Sequence, residues 1–378
     1  MRFLHTADVH LHPHYPERFN SLRRLGSLAQ EQACNVVVIA GDMFDSNAAA
    51  EAYRSEVRSL FESWELPVLI VPGNHDEAAF APYVTYGKNV RVLHASSKPI
   101  EIADVRFVGL PFCRGQAASR LLDQIPPSDS PTVLIAHASF FLESHAYIFR
   151  RLEESGEGNE FALFRDDLAG RDFAYVALGH WHQPTRAAVE SVSCIAYPGT
   201  PCPIARDETG KRQAWLVTLT ESAESVERLL IQQTPYYLSP QWFLTPGREQ
   251  VTVEAIETYL LEHADPLAMI TLLVEGYTGV DEVSFRKQLE ELARAYANRY
   301  REAPQLEFRA TSSGLLHHPA VERFLRELED VDWSELASQF EAGVLQELAE
   351  DLLAESEALR TDVLGCALAA FRHVLGDH

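Results

Sequence analysis

Over its first 235 residues the chain alternates between short unbroken apolar runs and longer stretches where apolar residues recur every three or four positions. The runs are MRFLHTA, NVVVIA (35–40), PVLIV (67–71), VRFVGL (105–110), TVLIA (132–136) and FAYVAL (173–178). Each is β-branched or aromatic in character and bounded by turn residues, a pattern that predicts strands buried on both faces. Between them the spacing predicts helices. One runs from Arg18 to Cys34 with Leu22, Leu25, Leu28 and Ala29 on one stripe, and another from Ala49 to Trp64 with Tyr53, Val57, Leu60 and Phe61. Strands alternating with helices in this way define an α/β domain.

The texture then changes. SCIAYPG, RQAWLVTLT and ESVERLLIQQ read as strands without helices between them, an antiparallel finish to the same domain. TPYYLSPQWFLTPG, rich in proline and aromatics, reads as a crossing into a second unit. From Thr252 to Ser312 the pattern predicts helix, strand (Ala268 to Glu275), helix (Asp281 to Arg299) and strand (Gln305 to Ala310), a small α+β unit capping the first. Beyond Pro319 no strand pattern remains, while Val321, Phe324, Leu325 and Leu328, then Leu336, Phe340, Val344, Leu348 and Leu352, fall at helical spacing. The expected organisation is an α/β domain over 1–240, an α+β cap over 241–314 and a helical C-terminal region over 315–378.

Composition changes this picture little; charge changes it more. An apolar fraction of 46% over 378 residues fits a globular chain with two or three cores. The net charge of −23, from 32 basic and 55 acidic residues, is the opposite of what a chain needs to attract a polyanion unaided. From Pro319 onward there are fourteen acids, four arginines and no lysine. That tail is either a solvated helical hairpin folded on the body or a docking element for another chain. The five cysteines (Cys34, Cys113, Cys194, Cys202 and Cys366) never form a CxxC, which argues against a disulfide framework and a zinc ribbon and fits a reducing cytoplasm. Neither a secretory leader nor a membrane span is expected, because no apolar run is long enough.

The chemistry lies where the buried runs end. MRFLHTA leads into Asp8 and His10; NVVVIA into Gly41, Asp42 and Asp45; PVLIV into Gly73, Asn74, His75 and Asp76; TVLIA into His137; FAYVAL into Gly179, His180 and His182. In an open α/β sheet ligands bind beyond the carboxyl ends of the strands, so these five clusters are expected on one rim. Asp8 and His10 stand two apart, as do His180 and His182, so each pair projects to one side of an extended chain. Carboxylates, imidazoles and one amide, without a thiolate, suit Mn²⁺, Fe²⁺ or Zn²⁺ in a mixed nitrogen and oxygen site. Any one cluster alone is ordinary, since an isolated AGD is usually a turn and a lone buried histidine usually a core residue. Their joint occurrence in this order carries the inference.

DVH, GDMFD, GNHD, AH and GHWH in this order resemble the five signature blocks of the calcineurin-like metallophosphoesterases. Members of that family are two-metal phosphoesterases built on a two-sheet sandwich flanked by helices, and the resemblance covers about residues 1 to 235. HTADVHL, GDMFDS, ALGHWHQP and YPGTP (197–201) are further similar to the SbcD branch, the nuclease components of DNA double-strand-break processing complexes. The resemblance implies that Asp8, His10, Asp42 and His182 hold one divalent ion and Asp42, Asn74, His137 and His180 the other, Asp42 bridging. Mn²⁺ is the first choice of metal, with Fe²⁺ or Zn²⁺ as alternatives. It implies His75 as general acid for the leaving oxygen, with Asp76 fixing its tautomer. Asp45 stands where some relatives carry a substrate-contacting histidine; a carboxylate there would orient a ligand histidine instead. The GDxxDRG of the protein phosphatases is absent, because Ser46 and Asn47 follow Asp45, so a phosphate-clamping arginine is missing there. His5 is expected to be structural, and His12 and His14 stay unassigned between a phosphate contact and a solvated loop.

The same resemblance implies DNA as substrate, a homodimer, and a coiled-coil ATPase of the SbcC type gripped by the C-terminal helices. No GxxxxGK[ST] occurs here, so that ATPase is expected as a separate polypeptide. The alternative is a stand-alone phosphodiesterase or phosphatase acting on a small phosphorylated molecule, which the acidity favours.

Overall fold

A computed structural model describes residues 1–142, 161–190, 192–220, 224–311, 319–329, 363 and 367. The chain divides into two compact units, Met1–Tyr237 and Leu238–His378. The strands of the first unit in chain order are β1 (Arg2–Thr6), β2 (Val36–Ala40), β3 (Val68–Val71), β4 (Val90–Val92), β5 (Ile100–Ile102), β6 (Val105–Leu110) and β7 (Thr132–His137). They continue with β8 (Ser139–Phe141), β9 (Ala162–Phe164), β10 (Phe173–Gly179), β11 (Thr185–Val189), β12 (Val192–Tyr197), β13 (Gln213–Leu219) and β14 (Glu224–Leu230). Among the described residues of this unit, the helices are α1 (Pro16–Glu31), α2 (Asn47–Trp64), α3 (Ala118–Leu122) and the single turn α4 (Arg165–Leu168).

Two six-stranded sheets form, in the orders β14-β13-β1-β2-β3-β4 and β11-β12-β10-β7-β6-β5. Alternation along the buried runs explains why they carry no polar face. Phe3, Val36, Val38, Leu69 and Val71 of the first sheet share one core with Phe107, Val133, Ile135, Tyr175 and Ala177 of the second. The intervening Leu4, Val37, Ile39, Val68 and Ile70 pack with Leu22, Leu25, Val57, Phe61 and Trp64 of α1 and α2. On the far side Leu134, Ala136, Val176 and Leu178 meet Ala118 and Leu122 of α3 and Leu168 of α4. The result is a two-sheet sandwich flanked by helices. α1 begins on Pro16, whose fixed φ and missing N–H suit a first turn, and α2 is capped by Ser46, whose side chain accepts from Ala49 N at 3.2 Å.

β1, β2, β3 and β4 are mutually parallel, as are β6, β7, β10 and β12, so the carboxyl ends of β1, β2 and β3 lie together, and those of β7 and β10 likewise. β13 and β14 run antiparallel as expected. SCIAYPG departs from expectation, because β12 pairs parallel with β10 and only its other neighbour, β11, is antiparallel to it.

In the second unit, β16 (Gln241–Leu244), α5 (Glu249–Glu262), β17 (Ala268–Tyr277), α6 (Glu282–Ala295) and β18 (Gln305–Thr311) alternate, after a short strand β15 (Tyr236–Leu238) at the boundary. β16, β17 and β18 are parallel neighbours. The segment read as a crossing therefore holds two short strands, with Pro235, Pro240 and Pro246 falling outside them, where a missing N–H breaks no ladder. Of the tail, α7 (Pro319–Glu329) is described; the expected boundary between 314 and 315 and the helical pattern from Leu336 to Leu352 lie outside the described residues.

Candidate metal centre

Where β1 ends, the backbone leaves the ordinary regions of φ. Asp8 and His10 have φ of 51° and 46°, Asp42 has 46° and His180 has 107°. Positive φ costs energy at any residue with a Cβ and persists only where the surroundings impose it. Here the β1 loop is hydrogen-bonded along the β2 loop: Asp8 N donates to Gly41 O at 3.0 Å, His10 N to Asp42 O at 3.0 Å and Leu11 N to Met43 O at 2.9 Å. Two glycines make room. A Cβ at Gly41, whose φ is +90°, would lie 2.0 Å from His137 Nδ1, and one at Gly73 would lie 2.0 Å from Asp42 Oδ1.

The donors converge. Asp8, His10 and His182 offer ligand atoms within 4.8 Å of one another, as do Asp8, Asp42 and His137, and His10, Asp42 and His75. Asp42 Oδ2 lies 3.6 Å from His10 Nε2 and 3.4 Å from His137 Nε2, the place of a shared donor. His137 donates from Nδ1 to Ala40 O at 2.9 Å, and its Nε2 faces Asp42 Oδ2 and lies 2.9 Å from Asn74 Oδ1, so with no cation between these atoms Nε2 carries a proton that a cation would displace. His180 donates its backbone N–H to both oxygens of Asp8 at 3.0 Å, and its ring centroid is 5.2 Å from that of His137.

His75 is exposed, with its ring centroid 4.9 Å from that of His10 and its backbone N donating to Asp42 Oδ1 at 2.9 Å. The expected role of Asp76 needs correction. Asp76 is fully buried; Oδ2 accepts from Phe44 N at 3.0 Å and Oδ1 from Gly73 N at 2.9 Å, so it ties the β2 and β3 loops together. What meets His75 Nδ1, at 3.2 Å, is the carbonyl oxygen of Asp45. Asp45 Oδ1 stands 3.8 Å from His10 Nδ1, too far for a hydrogen bond, and 3.5 Å from Nη1 of the buried Arg18, which also donates to His10 O at 2.9 Å. His5 is buried between Tyr175 Oη at 2.9 Å and Leu178 O at 3.2 Å, a structural residue. His12 contacts the backbone N of exposed His14 at 3.2 Å.

Sequence reasoning missed Glu208. Its Oε1 accepts from His182 Nδ1 at 2.7 Å, yet it lies in the loop ARDETGK, which carries no periodicity and no motif pointing back to His182.

These residues fit divalent cations. Both ring nitrogens of His10 are buried with no hydrogen-bond partner, a costly arrangement unless a cation takes the free lone pair. Burial holds the His10 ring down at about 3, so it is neutral and able to donate. Burial pushes Asp8 up to about 7, against the opposing pull of His137. Burial would also lower His137 and raise Asp42, but each outweighs that for the other: His137 is raised to about 9 and Asp42 held below the usual carboxylate range. Acids and imidazoles competing for protons in one buried cluster are the groups from which a dication displaces protons.

Residues 1–199 match the family model for calcineurin-like phosphoesterase, more than half of the chain, and the chain belongs to that family. Membership implies metal-dependent hydrolysis of phosphoesters. Among curated proteins, the chain is similar to the SbcD component of nuclease SbcCD from Bacillus subtilis (strain 168), 24% identical over 270 residues, covering 60% of this chain and 68% of that protein. Among solved structures, it is similar to a dimetal phosphatase from Danio rerio, with 12% identity, a TM-score of 0.42 and coverage of 61% of this chain and 98% of that one. It is also similar to a purple acid phosphatase from yellow lupin (Lupinus luteus), with 11% identity, a TM-score of 0.42 and coverage of 63% and 52% respectively. The fold itself follows from the strand order given above.

Proposed function

We propose that this chain is a two-metal DNA nuclease of the SbcD type, hydrolysing phosphodiester bonds with Mn²⁺ as the first choice of metal. The observation that carries the hydrolytic part is the meeting at one rim of Asp42 with Asp8, His10 and His137, and of Asp8 and His10 with His182. Asp8, His10, Asp42 and His182 would hold one cation, and Asp42, Asn74, His137 and His180 the second. Bound there, the cations supply positive charge to the phosphoester oxygens and acidify water. His75 acts on the leaving group. In its imidazolium form Nδ1–H donates to the Asp45 carbonyl and Nε2–H is left to protonate the departing 3′ or 5′ oxygen. Asp76 fixes the loop on which His75 stands, and Asp45 with Arg18 holds the loop opposite.

What supports DNA as substrate is the similarity to the Bacillus subtilis nuclease component. With a net charge of −23, the DNA-binding surface in this reading would come chiefly from a homodimeric arrangement and from a coiled-coil ATPase of the SbcC type docked on the C-terminal residues. Free thiols at Cys34, Cys113, Cys194 and Cys202 suit a cytoplasmic setting. A second reading, a phosphodiesterase for small esters, is favoured by the same charge and by an apolar cavity of about 270 Å³ beside Trp181, lined also by Phe141, Ile195 and Tyr197.

Incubating the protein and Mn²⁺ with linear duplex DNA, single-stranded DNA and bis(p-nitrophenyl) phosphate in parallel separates the two. DNA cleavage lowered about 10²- to 10⁴-fold in His75→Ala, with Mn²⁺ uptake unchanged, is the expected result. Cleavage of the small ester alone would reject the nuclease.

A further inference from the structure

We infer that Glu208 is a positioning residue that fixes the tautomer of His182, so that its Nε2 lone pair is presented to a cation; this rests on the metal-centre reading above. Glu208 is 4% exposed and belongs to none of the five strand-end clusters. Its Oε1 accepts from His182 Nδ1 at 2.7 Å, while Oε2 accepts from Thr200 Oγ1 at 2.7 Å and Ile204 N at 2.9 Å. The carboxylate is therefore an acceptor at both ends, and His182 Nδ1 is obliged to carry the proton. Behind it, the buried guanidinium of Arg212 donates from Nη2 to Thr200 Oγ1 at 2.9 Å and to His182 O at 2.8 Å, and from Nη1 to Glu208 O at 3.1 Å. Thr200 N also donates to His182 O at 3.1 Å. Ring and backbone of His182 are thus gripped by one group of residues. His182 needs such a grip more than His137, which is fully buried and held by a backbone carbonyl, because the His182 side chain is 33% exposed.

Glu208→Gln is the informative change. The amide oxygen must face the two donors, Thr200 Oγ1–H and Ile204 N–H, which leaves the NH₂ toward His182 Nδ1. That nitrogen must then accept, the ring proton moves to Nε2, and the lone pair offered to the cation is lost. In metal-free protein above the pKa of the ring, ¹⁵N NMR is expected to find the His182 proton on Nδ1 in the wild type and on Nε2 in Glu208→Gln. Equilibrium dialysis with Mn²⁺ is expected to show one of two sites weakened by about 10- to 100-fold, the other unchanged, with metal-free melting unaltered. Two Mn²⁺ bound with unchanged affinity in the variant would overturn the role of Glu208 while leaving the metal centre intact. No Mn²⁺ uptake by the wild type would overturn both. Should the variant not fold, a wild-type spectrum with the His182 proton on Nε2 is decisive against the role.

Discussion

Asp42 is the residue on which the centre turns, because its carboxylate is the one placed between His10 and His137. Its position depends on the absence of a side chain at Gly73, where a Cβ would meet Asp42 Oδ1 at 2.0 Å and Asp42 N at 2.5 Å. Gly73→Ala is therefore expected to displace Asp42 and lower kcat by about 100-fold or more, as a shift of about 1 Å at a catalytic group does. Wild-type kcat in a folded Gly73→Ala protein would contradict the positioning. At this scale the candidate donors were legible because each follows directly on a buried run. The partners of those donors were not. Glu208 reaches His182 across 26 residues and the Asp45 carbonyl reaches His75 across 30, and even Arg18, 8 residues from His10, bonds to a backbone oxygen, so none of these contacts leaves a mark in local sequence. Asp76 shows the converse error, since adjacency to His75 suggested a contact that the loop geometry gives to Gly73 and Phe44 instead.

Among the elements, β1, β2, β3, β6, β7 and β10 were readable as continuous apolar runs because each has helices or the other sheet on both faces. β4, β5 and β8 are three residues long, too short for any period to stand out, and the direction of β12 is a tertiary matter that its own residues do not encode. The two sheets touch closely at the rim, where a Cβ at Gly179 of β10 would lie 1.8 Å from Ala40 O of β2 and 2.8 Å from Ala7 Cβ. Gly179→Ala is expected to cost about 1–3 kcal/mol, as overpacking of a filled interior does. For a domain of this size that lowers Tm by about 2–4 °C per kcal/mol, read by thermal melting of the metal-free protein. An unchanged Tm would show that the sheets are not this close.

For the whole molecule, charge couples stability to pH and metal. Burial raises Asp8 from 3.8 to about 7, so the metal-free fold favours its protonated form. That contribution is complete below the unfolded value and is lost as pH rises through about 7, whereas a cation needs the ionised carboxylate. The rise in Tm produced by Mn²⁺ is therefore expected to be larger at pH 8 than at pH 5.5. His5, held down at about 3 by burial, contributes stability present above 6.5 and lost as pH falls toward 3, but it acts equally with and without metal and cancels from the difference. A Mn²⁺ effect that shrank on going to pH 8 would count against Asp8 as a donor. Whether the acidic tail grips a partner was open in the sequence and falls on residues 330–362, beyond the described ones.

The central claim is that loops far apart in sequence gather nitrogen and oxygen donors around two cations sharing Asp42. Anomalous diffraction from crystals soaked in Mn²⁺ tests it most directly. Two peaks roughly 3.5–4 Å apart, both within bonding distance of Asp42 and both lost in Asp42→Ala, are the expected result. No peak at the rim, or peaks that persist without the Asp42 carboxylate, would contradict it.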